Sequence, residues 1–287
     1  MPSSIAETIL QGAHQLRNAG VPEARRDAGS LLAFVLGRDR SFILTHAEDA
    51  VAAEQAERFR EFIERRGKGE PLQYITANQE FFGLDFEVTK DVLIPRPETE
   101  LLIETALKLL DPSADSFICD VGTGSGCIVI TLMRQLKEAC AVAIDISPDA
   151  VAVARRNAVR HSVNDRIDFV ISDCFGALTL RESRASFDLI VSNPPYCEED
   201  AMADLQREVR DFEPRNALAA GADGLDVVRR LLHEAPEFLK PGGYFLFEIG
   251  FNQAAAVRQL LDPKIWRLID IYEDLQGIPR TVALQRL

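Results

Sequence analysis

Residues 193–196 read Asn193-Pro194-Pro195-Tyr196 and follow directly on the apolar run Phe187-Asp188-Leu189-Ile190-Val191-Ser192. Proline fixes φ and donates no backbone hydrogen bond, so this turn is stiff and its carbonyls are free. The Asn193 side-chain oxygen and the Pro194 carbonyl are then two acceptors on rigid backbone, enough to take both N–H bonds of one –NH₂ group. Tyr196 adds a flat face on which a planar group can stack. The lone pair of an amide or aryl-amine nitrogen is delocalised, which makes that nitrogen a poor nucleophile. Two acceptors favour a more tetrahedral nitrogen and aim its lone pair. Hydrogen bonds that strengthen as positive charge develops count toward the rate. No base of tuned pKa is required beforehand, because the nitrogen loses its proton after the transfer. Asn-Pro and Pro-Pro also make ordinary surface turns. The position just after an apolar strand and downstream of a glycine loop favours the chemical reading.

That loop is Asp120-Val121-Gly122-Thr123-Gly124-Ser125-Gly126. Glycines let the backbone turn sharply and approach a ligand closely, and the helix that follows presents free N–H groups. The spacing is GxGxG, not the GxGxxG with which dinucleotide enzymes hold a pyrophosphate. An acidic residue two positions before the first glycine is typical of S-adenosylmethionine binders. Asp145 closes the next apolar run, about 20 residues further on, where an acidic side chain accepts ribose hydroxyls. It could instead cap the following helix, but Ser147 is available for that. Asp173 ends the third run, spaced to sit near an adenine amino group, and Cys174 follows it.

The elements that must position these groups fall into two regions. Residues 1–72 read as a small helical bundle. Ser3 or Ser4 caps a helix to Arg17, and Pro22 opens a second with the stripe Ala28, Leu31, Leu32, Phe34, Val35 and Leu36. A short helix covers Ser41–His46, and a charged one runs from Val51 to Arg66. Its Arg58, Arg60, Arg65, Arg66 and Lys68 are interleaved with Glu57, Glu61 and Glu64, the pattern of a solvated, self-paired helix. From Leu72 to Leu93 the period turns strand-like, with a hairpin at Phe81–Phe86, so residues 73–93 are expected to link the regions. A helix follows, with Pro97 or Thr99 in its first turn, running to Leu110.

Residues 94–287 then alternate. Strands are expected at 117–121, 141–146, 167–171, 187–192, 244–249, 267–271 and 281–285, and helices at 125–137, 148–161 and 224–239. This is an α/β pattern: a mostly parallel, seven-stranded sheet covered on both faces, with ligands at the carboxyl ends of its strands. Two final strands with no helix between them imply an antiparallel edge strand.

Composition sets the remaining bounds. The chain has 287 residues, 47% hydrophobic and 27% charged, ordinary for a globular protein. The formal charge of −13 argues against broad attachment to a nucleic-acid backbone. Residues 1–72 carry 10 Lys/Arg and 11 Asp/Glu, so almost all of the excess lies further on. No apolar run reaches the roughly 18 residues of a membrane span, and residues 1–7 lack a signal-peptide pattern. A cytoplasmic protein is expected, working as a monomer. Five cysteines without a CxxC pair read as free thiols, and four scattered histidines suggest neither a metal site nor a triad.

Taken together, these residues resemble the HemK/PrmC family of protein-glutamine N5-methyltransferases, which modify class-1 peptide-chain release factors. The resemblance covers nearly the whole chain: Gln73-Tyr74-Ile75, Phe81-Phe82-Gly83, Leu93–Glu100, the GTGSG loop, Asp145–Pro148, Asn193–Tyr196, Glu213-Pro214-Arg215, and Asp274-Leu275-Gln276-Gly277 with Arg280. It implies a Rossmann-like class I methyltransferase domain behind a helical substrate-recognition domain. It implies that Gly122, Thr123, Gly124, Ser125, Gly126 and Asp145 bind S-adenosylmethionine. It also implies that Asn193, Pro194, Pro195 and Tyr196 hold the glutamine of the release factor's GGQ motif, with Asn193 bordering the cofactor. Many relatives carry an aromatic residue where this chain has Cys174, and Phe175 is the nearest substitute. The tetrapeptide alone is shared with adenine-N6 methyltransferases of DNA or RNA, which would need a basic target-binding region that the sequence does not show.

Overall fold

The computed structural model describes residues 3–178 and 186–287. The chain forms two compact units, Met1–Asn78 with Gln206–Phe212, and Gln79–Leu205 with Glu213–Leu287.

The first unit is helical: α1 (Ile5–Asn18), α2 (Ala24–Leu36), α3 (Arg40–Thr45), α4 (Ala53–Gly67) and α5 (Leu72–Thr76). Ser4 caps α1, accepting the Glu7 N–H while the Glu7 carboxylate accepts the Ser4 N–H. Leu16, Ala28, Leu31, Leu32, Phe59 and Ile63 meet in its core. Phe34, placed in the apolar stripe by its spacing, is instead 41% exposed. Pro22 lies in the turn before α2 and not inside it. Leu72–Thr76 is helical, not strand-like, because Pro71 starts a turn that buries Tyr74 and Ile75 side by side.

Arg66 departs most from the solvated reading of α4. It is buried, its Nε donating to Asp27 Oδ2 at 2.7 Å and its Nη1 lying 2.7 Å from Glu208 Oε2. Glu208 sits on a short helix, Arg207–Phe212, whose first residue donates to the Lys68 carbonyl at 2.7 Å. A long-range ion pair therefore holds that late segment in the N-terminal unit. Arg65 pairs with Glu70 and keeps to the surface pattern expected.

The second unit opens with the expected hairpin, β1 (Gln79–Phe81) against β2 (Leu84–Phe86). Phe82 and Gly83 both have positive φ, the turn whose twist matches a two-residue hairpin. Residues 87–93 are irregular. A 3₁₀ turn (Pro97–Thr99) leads to α6 (Glu100–Leu109), then β3 (Phe117–Val121), α7 (Cys127–Gln135), β4 (Cys140–Asp145), α8 (Pro148–Arg160), β5 (Ile167–Ile171) and β6 (Phe187–Ser192). After α9, the Arg207–Phe212 helix above, come α10 (Asp226–Glu234), β7 (Leu239–Glu248), α11 (Ala254–Leu260), β8 (Trp266–Glu273) and β9 (Pro279–Arg286). Pro236 ends α10 early, so residue 239 is strand and not helix, and α11 is an element that its alanine-rich sequence did not announce.

The sheet order is β5-β4-β3-β6-β7-β9-β8. The first five strands run parallel, and β9 is antiparallel to both β7 and β8. The antiparallel pair lies at the edge as expected, but the reversed strand is β9, one place inside the rim strand β8. Alternate residues feed two cores. Leu189, Val191 and Leu246 enter the one shared with α6 and α7, and Ile190, Phe245 and Phe247 the one shared with α10. With both faces covered the strands read as continuous apolar runs.

Replacing Asp27 by alanine would leave the Arg66 guanidinium buried with only part of its pairing. A loss of about 3 kcal/mol in the stability of the helical unit is expected, the low end for breaking a buried pair. Urea titration measures it, and an unchanged midpoint would remove the pair from the account.

Candidate active site

The order of strands reverses between β3 and β6, the position where open α/β sheets bind ligands. Val121 pairs with Ser192 across these strands, and Ser192 Oγ donates to the Val121 carbonyl at 2.7 Å. The glycine loop leaving β3 and the proline turn leaving β6 therefore start side by side. Both line one cavity of about 470 Å³, within the range of small-molecule sites.

The three loop glycines do different work. Gly122, Gly124 and Gly126 all have positive φ. A side chain on Gly122 or Gly124 would meet only open space, so these two are required by backbone conformation and leave room at the cavity wall. A Cβ on Gly126 would come within 2.8 Å of Ile130 and 3.2 Å of Ala154, so this glycine lets α7 and α8 pack closely. Gly122 and Thr123 donate to the Ile144 carbonyl, tying the loop to β4. The Thr123 hydroxyl donates to the fully buried Asp120, whose carboxyl is pushed up to about 7, chiefly by burial.

Asp145 stands at the end of β4 on the cavity wall. Its Oδ2 accepts the Gly124 N–H and its Oδ1 the Ser147 N–H, both at 2.9 Å. Burial raises its pKa, and these backbone donors oppose the rise. Each oxygen keeps a lone pair for a ligand hydroxyl. Ser147 caps α8 by accepting the Ala150 N–H, which leaves Asp145 free of that duty. Asp173 and Cys174 also line the cavity. The Asp173 carboxylate is held by Arg230, at 2.7 Å, and the same guanidinium donates to the Asp173 carbonyl. Cys174 has φ of 47°, and burial pushes its thiol up to about 11. Phe175 does not replace an aromatic there: it is buried in the core, stacked on Phe238 at 4.7 Å. The donor set suits a nucleoside: a glycine-rich approach, an acid for the sugar, and a polar pair at the far end.

At the other end, Asn193, Pro194 and Pro195 reach the cavity wall. Asn193 Nδ2 donates to Thr99 Oγ1 at 3.0 Å, and Thr99 Oγ1 donates to Glu248 Oε2 at 2.6 Å. Asn193 Oδ1 is buried and has no partner in the protein. Buried polar atoms are seldom left unpaired without a reason. Tyr196 is not among the residues lining the cavity. Its carbonyl accepts from Gln253, and its phenol and the Glu248 carboxyl shift each other's ionisation. Burial, and then the charge of Glu248, push the phenol well up from its ordinary pKa. Glu248 is itself pushed up to about 7 by burial, with Thr99, Arg280 and Tyr196 opposing the rise and Glu98 adding to it.

The comparisons agree on the family. The sequence matches the PrmC N-terminal domain over residues 7–76 and a methyltransferase domain over residues 112–262. It is 44% identical to a release factor glutamine methyltransferase of Koribacter versatilis, with 93% of each chain covered. It is 40% identical to that of Nitratidesulfovibrio vulgaris, over 99% of this chain and 98% of the other. The chain belongs to the release factor glutamine methyltransferase family. Solved structures agree on the fold. A methyltransferase from Pyrococcus furiosus superposes with a TM-score of 0.52 at 17% identity, covering 71% of this chain and 90% of the other. The hMettl16 catalytic domain, in complex with a MAT2A 3′UTR hairpin, gives 0.56 at 18%, covering 89% and 90%.

In this member of the family the scattered motifs have a shared structural purpose. Glu213 is buried, its Oε1 taking Arg96 Nη2 at 2.5 Å and its Oε2 the Ile94 N–H at 3.4 Å. Residues 94–96 are thereby fixed, and with them the turn that carries Thr99. Asp274 accepts from Gln276, Ile278 and Arg280, holding the β8–β9 turn and directing Arg280 toward Glu248. Sequence reading singled out neither Glu248 nor Arg230. Glu248 did leave a signal: it is the one acid ending the apolar run Phe245-Leu246-Phe247. Phe247 pairs with Ser192, so this acid belongs beside Asn193. Arg230 left none.

Changing Gly126 to alanine should destabilise the second unit by about 1–3 kcal/mol, from overpacking against Ile130 and Ala154 at a left-handed φ. Thermal or urea unfolding tests this, and a wild-type midpoint would contradict the packing argument.

Proposed function

We propose that this chain transfers a methyl group from S-adenosylmethionine to the side-chain amide nitrogen of a glutamine in class-1 peptide-chain release factors, leaving S-adenosylhomocysteine. The observation that carries the reading is Asn193 Oδ1, a buried carbonyl oxygen with no protein partner on a residue that lines the same cavity as the glycine loop. A primary amide has two N–H bonds, and Asn193 Oδ1 with the Pro194 carbonyl supplies two acceptors for them. Holding both N–H bonds orients the amide nitrogen and favours the geometry in which its lone pair is available. The stiffness of the Pro194-Pro195 turn keeps the acceptors in place. When bound, S-adenosylmethionine supplies the electrophilic methyl carbon. In this reading Gly122, Thr123, Gly124, Ser125 and Gly126 receive its amino-acid portion and Asp145 its ribose. Asp173 and Cys174 border the adenine, the former held in place by Arg230. Tyr196 lies off the cavity wall, where its phenol favours the charged form of Glu248, in place of the stacking face that the sequence suggested.

The partner follows from the family and from the charge. Relatives over nearly the full length are named for the release factor, and a net charge of −13 disfavours a nucleic-acid backbone. Among the described residues no helix is long and apolar enough to cross a membrane, and we place the reaction in the cytoplasm.

Incubation with purified release factor and S-adenosylmethionine should add one methyl group to the glutamine-bearing peptide, read by mass analysis. Methyl transfer to nucleic acid alone would overturn the assignment. Asn193→Ala should lower kcat by about 10²–10³, the range for losing one preorganised hydrogen-bonding group, with cofactor affinity nearly unchanged. Near-normal kcat would refute the acceptor role. Asp145→Ala should weaken cofactor binding by roughly 1.5–3 kcal/mol, the scale of a hydrogen bond to a charged group. Calorimetric titration decides, and unaltered affinity would take Asp145 out of the ribose site.

A further inference from the structure

Beyond the residues that touch cofactor or substrate, we infer that Thr99 and Glu248 are positioning residues that set which end of the Asn193 amide faces the substrate. The inference rests on the proposed amide-methylation reading and deepens it. An asparagine amide has two ends of almost equal shape and opposite hydrogen-bonding sense. Only the oxygen end can accept an N–H from a substrate amide, so the reaction requires one of two orientations. Packing cannot choose between them, and a hydrogen-bond relay can.

Thr99 is 2% exposed and Glu248 is 2% exposed, so neither has water as an alternative partner. Glu248 Oε2 lies 2.6 Å from Thr99 Oγ1. An ionised Glu248 has no proton to give, so Thr99 must donate to it. The Thr99 hydroxyl has one proton and, having spent it, can only accept from Asn193. The atom at 3.0 Å is therefore Nδ2, and Oδ1, at the other end of the amide, is left buried without a partner. Charge on Glu248 thus fixes the orientation two bonds away.

The same logic runs in reverse. A neutral Glu248 can donate to Thr99, which frees the Thr99 proton for an acceptor. Asn193 Oδ1 is the acceptor that a turn of the amide brings to it, and the cavity then faces Nδ2, which cannot receive the substrate's N–H. The charged and titratable groups around Glu248 are Arg280 and the Tyr196 hydroxyl, which favour its ionised form, Glu98, which disfavours it, and Cys127, whose thiol Glu248 in turn pushes up. Burial is the largest influence and brings the carboxyl to about 7. The sign is then fixed: Glu248 is charged and the relay productive above that pH, and the relay is lost as pH falls through it.

The test uses the full-length enzyme with release factor as substrate. Wild-type kcat should drop about tenfold per pH unit below the transition, the slope of one proton, while cofactor affinity measured by titration stays level. Glu248→Gln keeps an acceptor for Thr99 without a titrating proton, so its kcat at pH 6 should match its own kcat at pH 8. Thr99→Val removes the relay and should lower kcat at least tenfold with little change in cofactor affinity, and Thr99→Ser should restore most of the loss. A Glu248→Gln enzyme with the wild-type acid limb, or a Thr99→Val enzyme with wild-type kcat, would overturn the relay while leaving the methylation reading standing. A wild-type enzyme that leaves the glutamine unmodified would overturn both.

Discussion

The parallel pairing of β3 with β6 is the constraint on which the site depends. Their junction is sealed by the bond from the Ser192 hydroxyl to the Val121 carbonyl, at the switch point of the sheet. One strand leaves as a glycine loop and the other as a proline turn. The two have opposite mechanical characters. The loop needs left-handed backbone at three positions and open space at two of them. The turn has two prolines and almost no freedom. A glycine loop proposed for the cofactor and a rigid turn proposed for the substrate therefore leave neighbouring strands, with no long-range adjustment needed to align them.

Around that junction the second unit spends its buried polar groups sparingly. Among its described residues, Asp120, Glu248 and Glu213 are the buried acids, and each has a structural partner. Thr123 holds the first, Thr99 the second, and Arg96 with the Ile94 amide the third. An unpaired charge in such surroundings would cost several kcal/mol. Each acid consequently does local work: Asp120 braces the loop, Glu213 pins the segment before α6, and Glu248 gathers Thr99, Tyr196 and Arg280. The proposed orientation of Asn193 is the end of that chain of constraints. The orphan Oδ1 would be a defect in a purely structural core and becomes useful only as an acceptor.

The seven strands, the glycine loop, Asp145 and the proline turn were legible because each rests on local rules. Apolar runs bounded by turn residues give strands, left-handed turns require glycine, and paired prolines give a stiff bend. Cooperating elements escaped the same reading for physical reasons. Leu72–Thr76 alternates like a strand, yet Pro71 and the burial of Tyr74 beside Ile75 make it a helical turn. Phe175 looked available to cover a ligand, but its position after the left-handed Cys174 turns it into the core against Phe238. The helix at residues 207–212 is mostly charged, and its pairing with Arg66 and the Lys68 carbonyl, far away in sequence, holds it in the N-terminal unit.

What the sequence determined by itself was the kind of site now proposed: a glycine loop for an electrophile, an acid for a sugar, and two rigid acceptors for an –NH₂ group, on a mostly parallel sheet that follows a helical bundle in the chain. Those features are encoded within a few residues of one another, where backbone conformation and residue type decide. What only the tertiary structure decided was which distant residues control the acceptors. Thr99 and Asn193 are 94 residues apart, and Thr99 and Glu248 are 149 apart. Hydrogen bonds over such separations depend on strand order and register, which no local pattern contains. Register places Phe247 opposite Ser192, and so brings a buried carboxyl to the side of the asparagine.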